Sequence, residues 1–505
     1  MAPGAVDPEQ PKLSFFGKEA KSSSGEINSS REPLIVGNHC NEEYTVAAAI
    51  LPFLFPALGG LLFGYDIGAT SGATISIQSS SLSGTTWYNL SSVEIGLVVS
   101  GSLGGALIGS VLAFNVADFL GRRRELICSS ILYLVGALLT ALAPNYPVMV
   151  IGRFVFGIGI GLAMHAAPMY IAETAASQIR GRLISLKEFF IVLGMLLGYA
   201  GSSAYVSLVS GWRYMYGSSA PVALIMGIGM WWLPASPRWL LLCAIQGRDR
   251  LEVAKETAKC CLCKLRGITD DSFALEQIDE ILAELSYTGQ EKEASLWEVF
   301  QGKCLKALIM GAGLVFFQQV TGQPSVLYYA ATIFKTAGFS AASDATMVSV
   351  FLGLLKLIMT GVAVVVVDRV GRRPLLLGGV SGMAISLLLL SSYYTFFKSS
   401  SFMAVIGLLL YVGCYQLSFG PIGWLLISEI FPLRLRGRGL SIAVLVNFAS
   451  NALVTFAFSP LQSILGAGVL FAIFFVIAIV SLIFIFYFIP ETKGLTLEEI
   501  EAKIL

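Results

Sequence analysis

Four ionisable side chains, Asp66, Arg153, Glu188 and Lys356, stand inside runs that are mostly apolar. A charge held away from water is costly, so in a membrane such residues pair, carry protons or line a polar cavity. Gln318 and Gln319, with Gln323 a turn later, share another such run. Each amide both donates and accepts, which is what a ring of hydroxyls requires, and an aromatic plate would serve the ring's apolar faces. Taken singly, such amides can also simply bridge helices. His165 has no visible partner in its run. A packed or hydrogen-bonded imidazole is expected there rather than a proton relay.

These residues need a scaffold that crosses a membrane. Of 505 residues, 55% are hydrophobic and 13% charged, about half the charged share of a soluble domain. Apolar segments of about 20 residues, the length that spans a bilayer, recur from Val46 to Phe488. They predict twelve helices, near 46–68, 93–115, 125–143, 147–171, 183–206 and 212–233, then 304–330, 345–367, 374–396, 402–429, 438–458 and 464–489. The expected fold is an all-α polytopic membrane protein, its twelve transmembrane helices forming two pseudo-symmetric six-helix bundles. The domains would be a disordered tail (1–45), a first bundle (46–233), a linker with amphipathic helices (234–303), a second bundle (304–489) and a short tail (490–505).

The 33 Lys and Arg residues balance 32 Asp and Glu, which points to no nucleic-acid partner. Eight cysteines without regular spacing do not form a secreted disulfide framework, and reduced thiols are expected. The first 45 residues are rich in Ser, Pro and Gly and have no apolar signal-peptide core. They read as a retained disordered tail, with the first membrane helix as signal anchor. In the linker, Phe273, Leu275, Ile278, Ile281, Leu282 and Leu285 fall at helical spacing, so Ser272 to Leu285 is predicted to be an amphipathic helix. Cys260, Cys261 and Cys263 lack paired CxxC spacing and a His partner, so ordinary thiols rather than a metal site are expected.

The two halves echo each other. Asp118-Phe-Leu-Gly-Arg122-Arg123-Arg124 returns 250 positions later as Asp368-Arg-Val-Gly-Arg372-Arg373-Pro374. Glu173 followed by Arg180-Gly-Arg182 returns as Glu429 followed by Arg436-Gly-Arg438, each Glu seven residues before its first Arg. Pro234-Ala-Ser-Pro-Arg238 closes helix six as Pro490-Glu-Thr-Lys-Gly494 closes helix twelve. Arg can bind exposed helix-end carbonyls and carboxylates in forked geometry. The matched spacing favours a latch, with ion pairs between the halves holding one state; the alternative is that each Arg snorkels and sets topology. All these arginines fall on the linker's side, so the positive-inside rule predicts that both termini are cytosolic. On the other side, Asn89-Leu-Ser91 is a candidate glycosylation sequon.

At these residues the chain resembles the sugar porter family of the major facilitator superfamily, from Val46 to Leu505. The motifs that carry the likeness are Gly64-Tyr65-Asp66, the two Gly-Arg-Arg loops, Gly152-Arg153, Gln318-Gln319-Val-Thr-Gly322, Tyr328-Tyr329, Gly420-Pro421-Ile-Gly-Trp424 and Pro490-Glu-Thr-Lys493-Gly494. More narrowly, it resembles the plant branch called D-xylose-proton symporter-like, which includes vacuolar glucose transporters. The resemblance implies alternating access and a mid-membrane sugar site to which Glu188, Gln318, Gln319, Gln323, Tyr328, Trp424, Asn447 and Asn451 would contribute. It implies that Asp66 and Arg153 form a proton pair, in which protonating Asp66 releases Arg153. A static buried pair is the alternative. Four positions depart from the family pattern: Glu188 replaces a usual Gln, Lys356 a common Asn, Pro324 an Asn after the Thr-Gly pair, and Ala235 the Glu of Pro-Glu-Ser-Pro-Arg. The first two predict either a Glu188–Lys356 contact in at least one conformational state, or a sugar-binding Glu188 beside a snorkelling Lys356.

The expected function is proton-coupled transport of a glucose- or xylose-type monosaccharide by a monomer in a lipid bilayer, with Glu188 a further proton-linked candidate. Loading an acidic organelle would make it an antiporter. Uncoupled diffusion on the same scaffold is one alternative; a sugar sensor is another, disfavoured by the short C-terminal tail. No phosphate-cradling loop, metal-ligand cluster or soluble catalytic domain is evident, so neither enzyme, cofactor nor metal is expected. Glu32-Pro33-Leu34-Ile35 resembles an acidic di-leucine sorting signal, and the vacuolar membrane is expected ahead of the plasma or plastid membrane. Which sugar is carried, and in which direction, stays open.

Overall fold

A bilayer offers no partner for backbone N–H and C=O groups, so long apolar runs must satisfy themselves as helices. The computed structural model describes residues 46–175, 177–248, 250–266, 271–290, 300–339, 341–397, 401–431 and 436–493, and these contain helices and no strand. Both tails as far as 45 and from 494, including Glu32 to Ile35, lie outside the described residues.

The first half holds α1 (Val46–Gln78), α2 (Ser92–Leu120), α3 (Arg122–Ala141), α4 (Tyr146–Thr174), α5 (Ser177–Tyr205), α6 (Gly211–Gly217) and α7 (Ser219–Trp232). The linker contributes α8 (Pro237–Ile245), α9 (Leu251–Arg266) and α10 (Asp271–Gln290). The second half holds α11 (Gly302–Val320), α12 (Gln323–Tyr328), α13 (Ala330–Thr336), α14 (Ala342–Val370), α15 (Arg372–Ser392), α16 (Ser401–Leu417), α17 (Phe419–Ile430) and α18 (Arg436–Phe488).

Among the described residues ten helices are long and apolar enough to cross a bilayer, and Gly211–Trp232, bent by 59° from Pro237–Ile245, adds another. The 51 residues of Arg438–Phe488 suffice for two crossings, since about 20 residues span. Gly466 divides them by adopting φ 80°, ψ 158°, a conformation that suits glycine because it has no Cβ. The result is the twelve-helix major facilitator fold. Val135, Leu138, Ile151, Trp232 and Val364 are among the large apolar side chains exposed on its surface, as a lipid-facing surface requires.

Several spans depart from their expected limits. Helix one, expected over 46–68, continues to Gln78. Its last turns are rich in hydroxyls, and Thr70, Ser71, Thr74 and Ser76 are buried; the Thr74 hydroxyl donates to the Ser71 carbonyl, 2.9 Å. A hydroxyl that bonds its own helix lowers hydropathy without ending the helix. Helix six divides at Ser218, helix ten at Ser418, and helix seven twice, at Thr321-Gly322 and at Tyr329. The first break in helix seven follows from Gly322, in the left-handed region at φ 96°, with Pro324 in the next turn.

Within the first half α1 packs along α5, and α4 packs between α2 and α3; in the second half α15 packs on α16 and α18. The halves meet along α2 with α18 and along α5 with α14. At one end of the bundle, here the linker face, Leu241, Ala258, Leu262, Ala274 and Ile278 join α8, α9 and α10 in a small core. Ion pairs Lys255–Asp279 (2.9 Å) and Lys259–Asp271 (3.0 Å) flank it. The expected amphipathic segment lies within α10, with Ile278 buried and Ile281, Leu282 and Leu285 packed against the core; Leu275 is exposed.

Candidate functional site

Asp66 on α1 and Arg153 on α4 are 2% and 1% exposed. One Arg153 Nη donates to Asp66 Oδ1. The other donates to Ser102 Oγ on α2 at 3.0 Å, and Nε donates to the Val98 carbonyl at 3.0 Å. Ser102 in turn donates to Asp66 Oδ2, 2.9 Å, and the guanidinium lies over the Tyr216 ring, 4.9 Å from its centre. A buried ion pair holds only when the remaining donors and acceptors are satisfied, and removing one charge leaves the other strongly destabilised. A chamber with room for about one water adjoins the pair, lined by Tyr65, Asp66, Thr140, Arg153, Tyr216 and Ser219 among others. Ser102 and Tyr216 carry no sequence signal of this role, since a membrane serine or tyrosine is usually a packing residue.

The broken helix seven presents the amides. Gln318 Nε2 donates to the Phe419 carbonyl at 2.9 Å, and Gln319 Nε2 donates to Asn447 Oδ1 at 2.6 Å. Both side-chain oxygens, Gln318 Oε1 and Gln319 Oε1, are buried without a hydrogen-bond partner. An unsatisfied buried acceptor costs about 1–3 kcal/mol, so the pair is poised for a ligand that brings hydroxyl donors. Gln323 and Asn451 are buried nearby in sequence and fold, Asn451 Oδ1 accepting from Thr455 Oγ1 at 3.2 Å. Trp424 and Asn447 are half-buried, and Gly423, beside Trp424, lies against the Gln318 carboxamide. Tyr328 was expected with this group; its buried hydroxyl instead lies beside Ser102, Asp66 and Arg153, without the geometry of a full hydrogen bond.

Glu188 is largely exposed and pairs with Lys187 at 3.2 Å. Lys356 is buried and Glu188 is the charge that acts on it, but in this conformation the two form no ion pair among the described residues. The predicted contact is thus not made in this state, in which the Glu188 carboxylate pairs with Lys187.

The repeated Arg motifs match in three dimensions. Arg122 pairs with Glu173 at 3.1 Å, and Arg372 with Glu429 at 3.2 Å. Arg123 donates to the Met230 and Trp231 carbonyls that end α7, and Arg373 to the Phe486 carbonyl near the end of α18. Each of these contacts stays inside one half. The side chains of Asp118, Arg180, Asp368 and Arg436 lie outside the described residues. One difference separates the halves: Glu491 accepts from the backbone N–H groups of Arg372 (3.1 Å) and Arg373 (3.0 Å), capping α15. In the first half Ala235 replaces that carboxylate, and the Trp239 ring covers Gly121.

His165 has a partner after all, Glu125 Oε1 at 3.0 Å. Asn89 is exposed on the loop between α1 and α2, while Ser91 and Glu94 bond reciprocally at the start of α2.

The halves touch through named polar groups at the face opposite the linker. Ser71 Oγ accepts from the Ala331 N–H (3.0 Å), Tyr199 Oη donates to the Leu327 carbonyl (2.7 Å), and the Thr74 and Thr332 hydroxyls meet at 3.4 Å.

Residues 53–504 match the family model described as sugar (and other) transporter. The chain is 69% identical over 502 residues to "D-xylose-proton symporter-like 2" of Arabidopsis thaliana, covering 99% of this chain and all of that one. Among solved structures, the inward open conformation of the xylose transporter XylE from E. coli is similar at TM-score 0.75 and 31% identity, over 90% of this chain and 99% of that one. The proton:xylose symporter XylE bound to 6-bromo-6-deoxy-D-glucose is similar at TM-score 0.71 and 32% identity, over 92% and 100%.

Proposed function

Because this chain belongs to the sugar transporter family, we propose that it carries a glucose- or xylose-type monosaccharide by alternating access, driven by protons. The observation that carries the coupling is the Asp66–Arg153 pair, buried from water and completed by Ser102. A proton bound at Asp66 removes the charge that holds Arg153, and a guanidinium left without its anion favours a different packing of α1 and α4. The orphaned Gln318 and Gln319 acceptors support a polyhydroxylated substrate, and relatives named for xylose and protons support the pairing of cargo and ion.

The arginines around the linker face support its placement in the cytosol, by the positive-inside rule. With the opposite face held together by Ser71 and Tyr199, the present state is then closed toward the lumen. In the same reading the protein works as a monomer in the vacuolar membrane, exchanging cytosolic sugar for luminal protons, with Glu188 within reach of the sugar. Purified protein in liposomes decides this. Labelled glucose and xylose should accumulate inside when the lumen is acid and not when the gradient is reversed. Uptake indifferent to the gradient would leave an uncoupled carrier, and accumulation only under the reversed gradient would make it a symporter.

A further inference from the structure

Four tyrosines stand close enough to Asp66 to interact with it electrostatically: Tyr65 on α1, Tyr133 on α3, Tyr216 on α6 and Tyr328 on α12. With Arg153 on α4 they are the titratable groups that face it among the described residues. Three are tied inside the first half. Tyr65 donates to the Met215 carbonyl (2.9 Å), Tyr133 to the Gly59 carbonyl (3.0 Å) and Tyr216 to Thr70 Oγ1 (3.4 Å). Tyr328 alone of the four comes from the second half, and its buried hydroxyl lies beside Ser102 without a well-formed hydrogen bond. Its neighbour Tyr329 is tied within the second half, donating to the Thr455 carbonyl at 3.3 Å and stacked on Phe458.

Tyr328 ends α12, and Gln323 begins it. The helix is about 8 Å from end to end at 1.5 Å per residue. One short rigid piece therefore joins Gln323 to the tyrosine beside the charge pair. We propose that the Tyr328 hydroxyl is the contact through which the second half registers the charge state of Asp66, making α12 the element that couples proton to sugar; this rests on the proton-coupled reading above. While Asp66 is ionised, Arg153 and Ser102 occupy its two oxygens and Tyr328 lies beside them without a well-formed hydrogen bond. When a proton from water binds a carboxylate oxygen, Asp66 gains an O–H donor and Arg153 loses its anion. Each can then bond the Tyr328 oxygen, which draws α12 toward the first half and moves Gln323 at its other end.

Tyr328→Phe tests this in full-length protein in liposomes. Removing a hydroxyl without a well-formed hydrogen bond should not lower the thermal unfolding temperature, because no full bond is lost. It should cut gradient-driven accumulation by about fivefold, the scale of one net hydrogen bond, and flatten the pH dependence of sugar affinity. Exchange at equal sugar concentrations should fall less. Tyr329→Phe is the control, expected to lower the unfolding temperature while keeping the pH dependence. Wild-type accumulation and pH dependence in Tyr328→Phe would overturn the inference alone. A wild type that does not respond to the gradient would overturn the coupling reading and the inference with it.

Discussion

The Tyr199 hydroxyl donates to the Leu327 carbonyl across the junction between the halves. In an unbroken helix that carbonyl would accept from the N–H four residues on, at Ala331. Helix seven is interrupted at Tyr329, and the Ala331 N–H turns instead to Ser71 of the first half. Two backbone groups that would have satisfied each other are thus satisfied by two side chains of the other half. The interruption gives this face its closing contacts, and opening the face must restore partners to both groups.

Tyr199→Phe should therefore favour opening of that face. One net hydrogen bond is worth about 1 kcal/mol, so the ratio of open to closed protein should rise about fivefold. Spin-label distances across the face would show the shift; distances identical to wild type would contradict it.

Glu491 gives a pH signature outside the membrane spans. Burial disfavours its charge, but the backbone amides of Lys493, Arg372, Arg373 and Thr492 outweigh burial and hold its pKa below the ordinary carboxylate value. A carboxyl depressed on folding stabilises above its unfolded pKa, about 4.3, and that contribution is lost as pH falls through the folded value. Glu491→Gln should cost about 1 kcal/mol at neutral pH, the scale of a carboxylate at a helix N-terminus. The gap in unfolding temperature should close in acid below about pH 4; a gap constant with pH would contradict the capping role.

Gln318 and Gln319 offer unsatisfied acceptors to a ligand. Truncating either to Ala should weaken sugar binding by roughly 1–3 kcal/mol, the cost of a lost buried hydrogen bond. Calorimetric titration of the purified protein with glucose and xylose measures it, and unchanged affinity in both variants would remove them from the site.

Hydropathy made the twelve spans legible, because the bilayer imposes length and self-satisfied backbone together. The repeated Gly-Arg-Arg motifs were legible as a repeat, and Arg122–Glu173 and Arg372–Glu429 are its matched contacts. What the motifs could not give was which half each Arg would join, since a forked guanidinium fits either. Helical spacing does not point to Lys187 as the Glu188 partner, because adjacent helical residues point apart; here the long Lys side chain reaches back. Ser71 and Ser102 look like any packing serine in sequence, and only the fold shows one on a broken helix and the other on the charge pair. Glu125 and His165, 40 positions apart, meet only because α3 packs on α4.

Asp66→Asn in liposomes tests most directly whether the buried Asp66–Arg153 pair couples protons to sugar. The variant should lose accumulation driven by a pH gradient while retaining part of its exchange at equal sugar concentrations. Accumulation equal to wild type would rule out coupling through this pair.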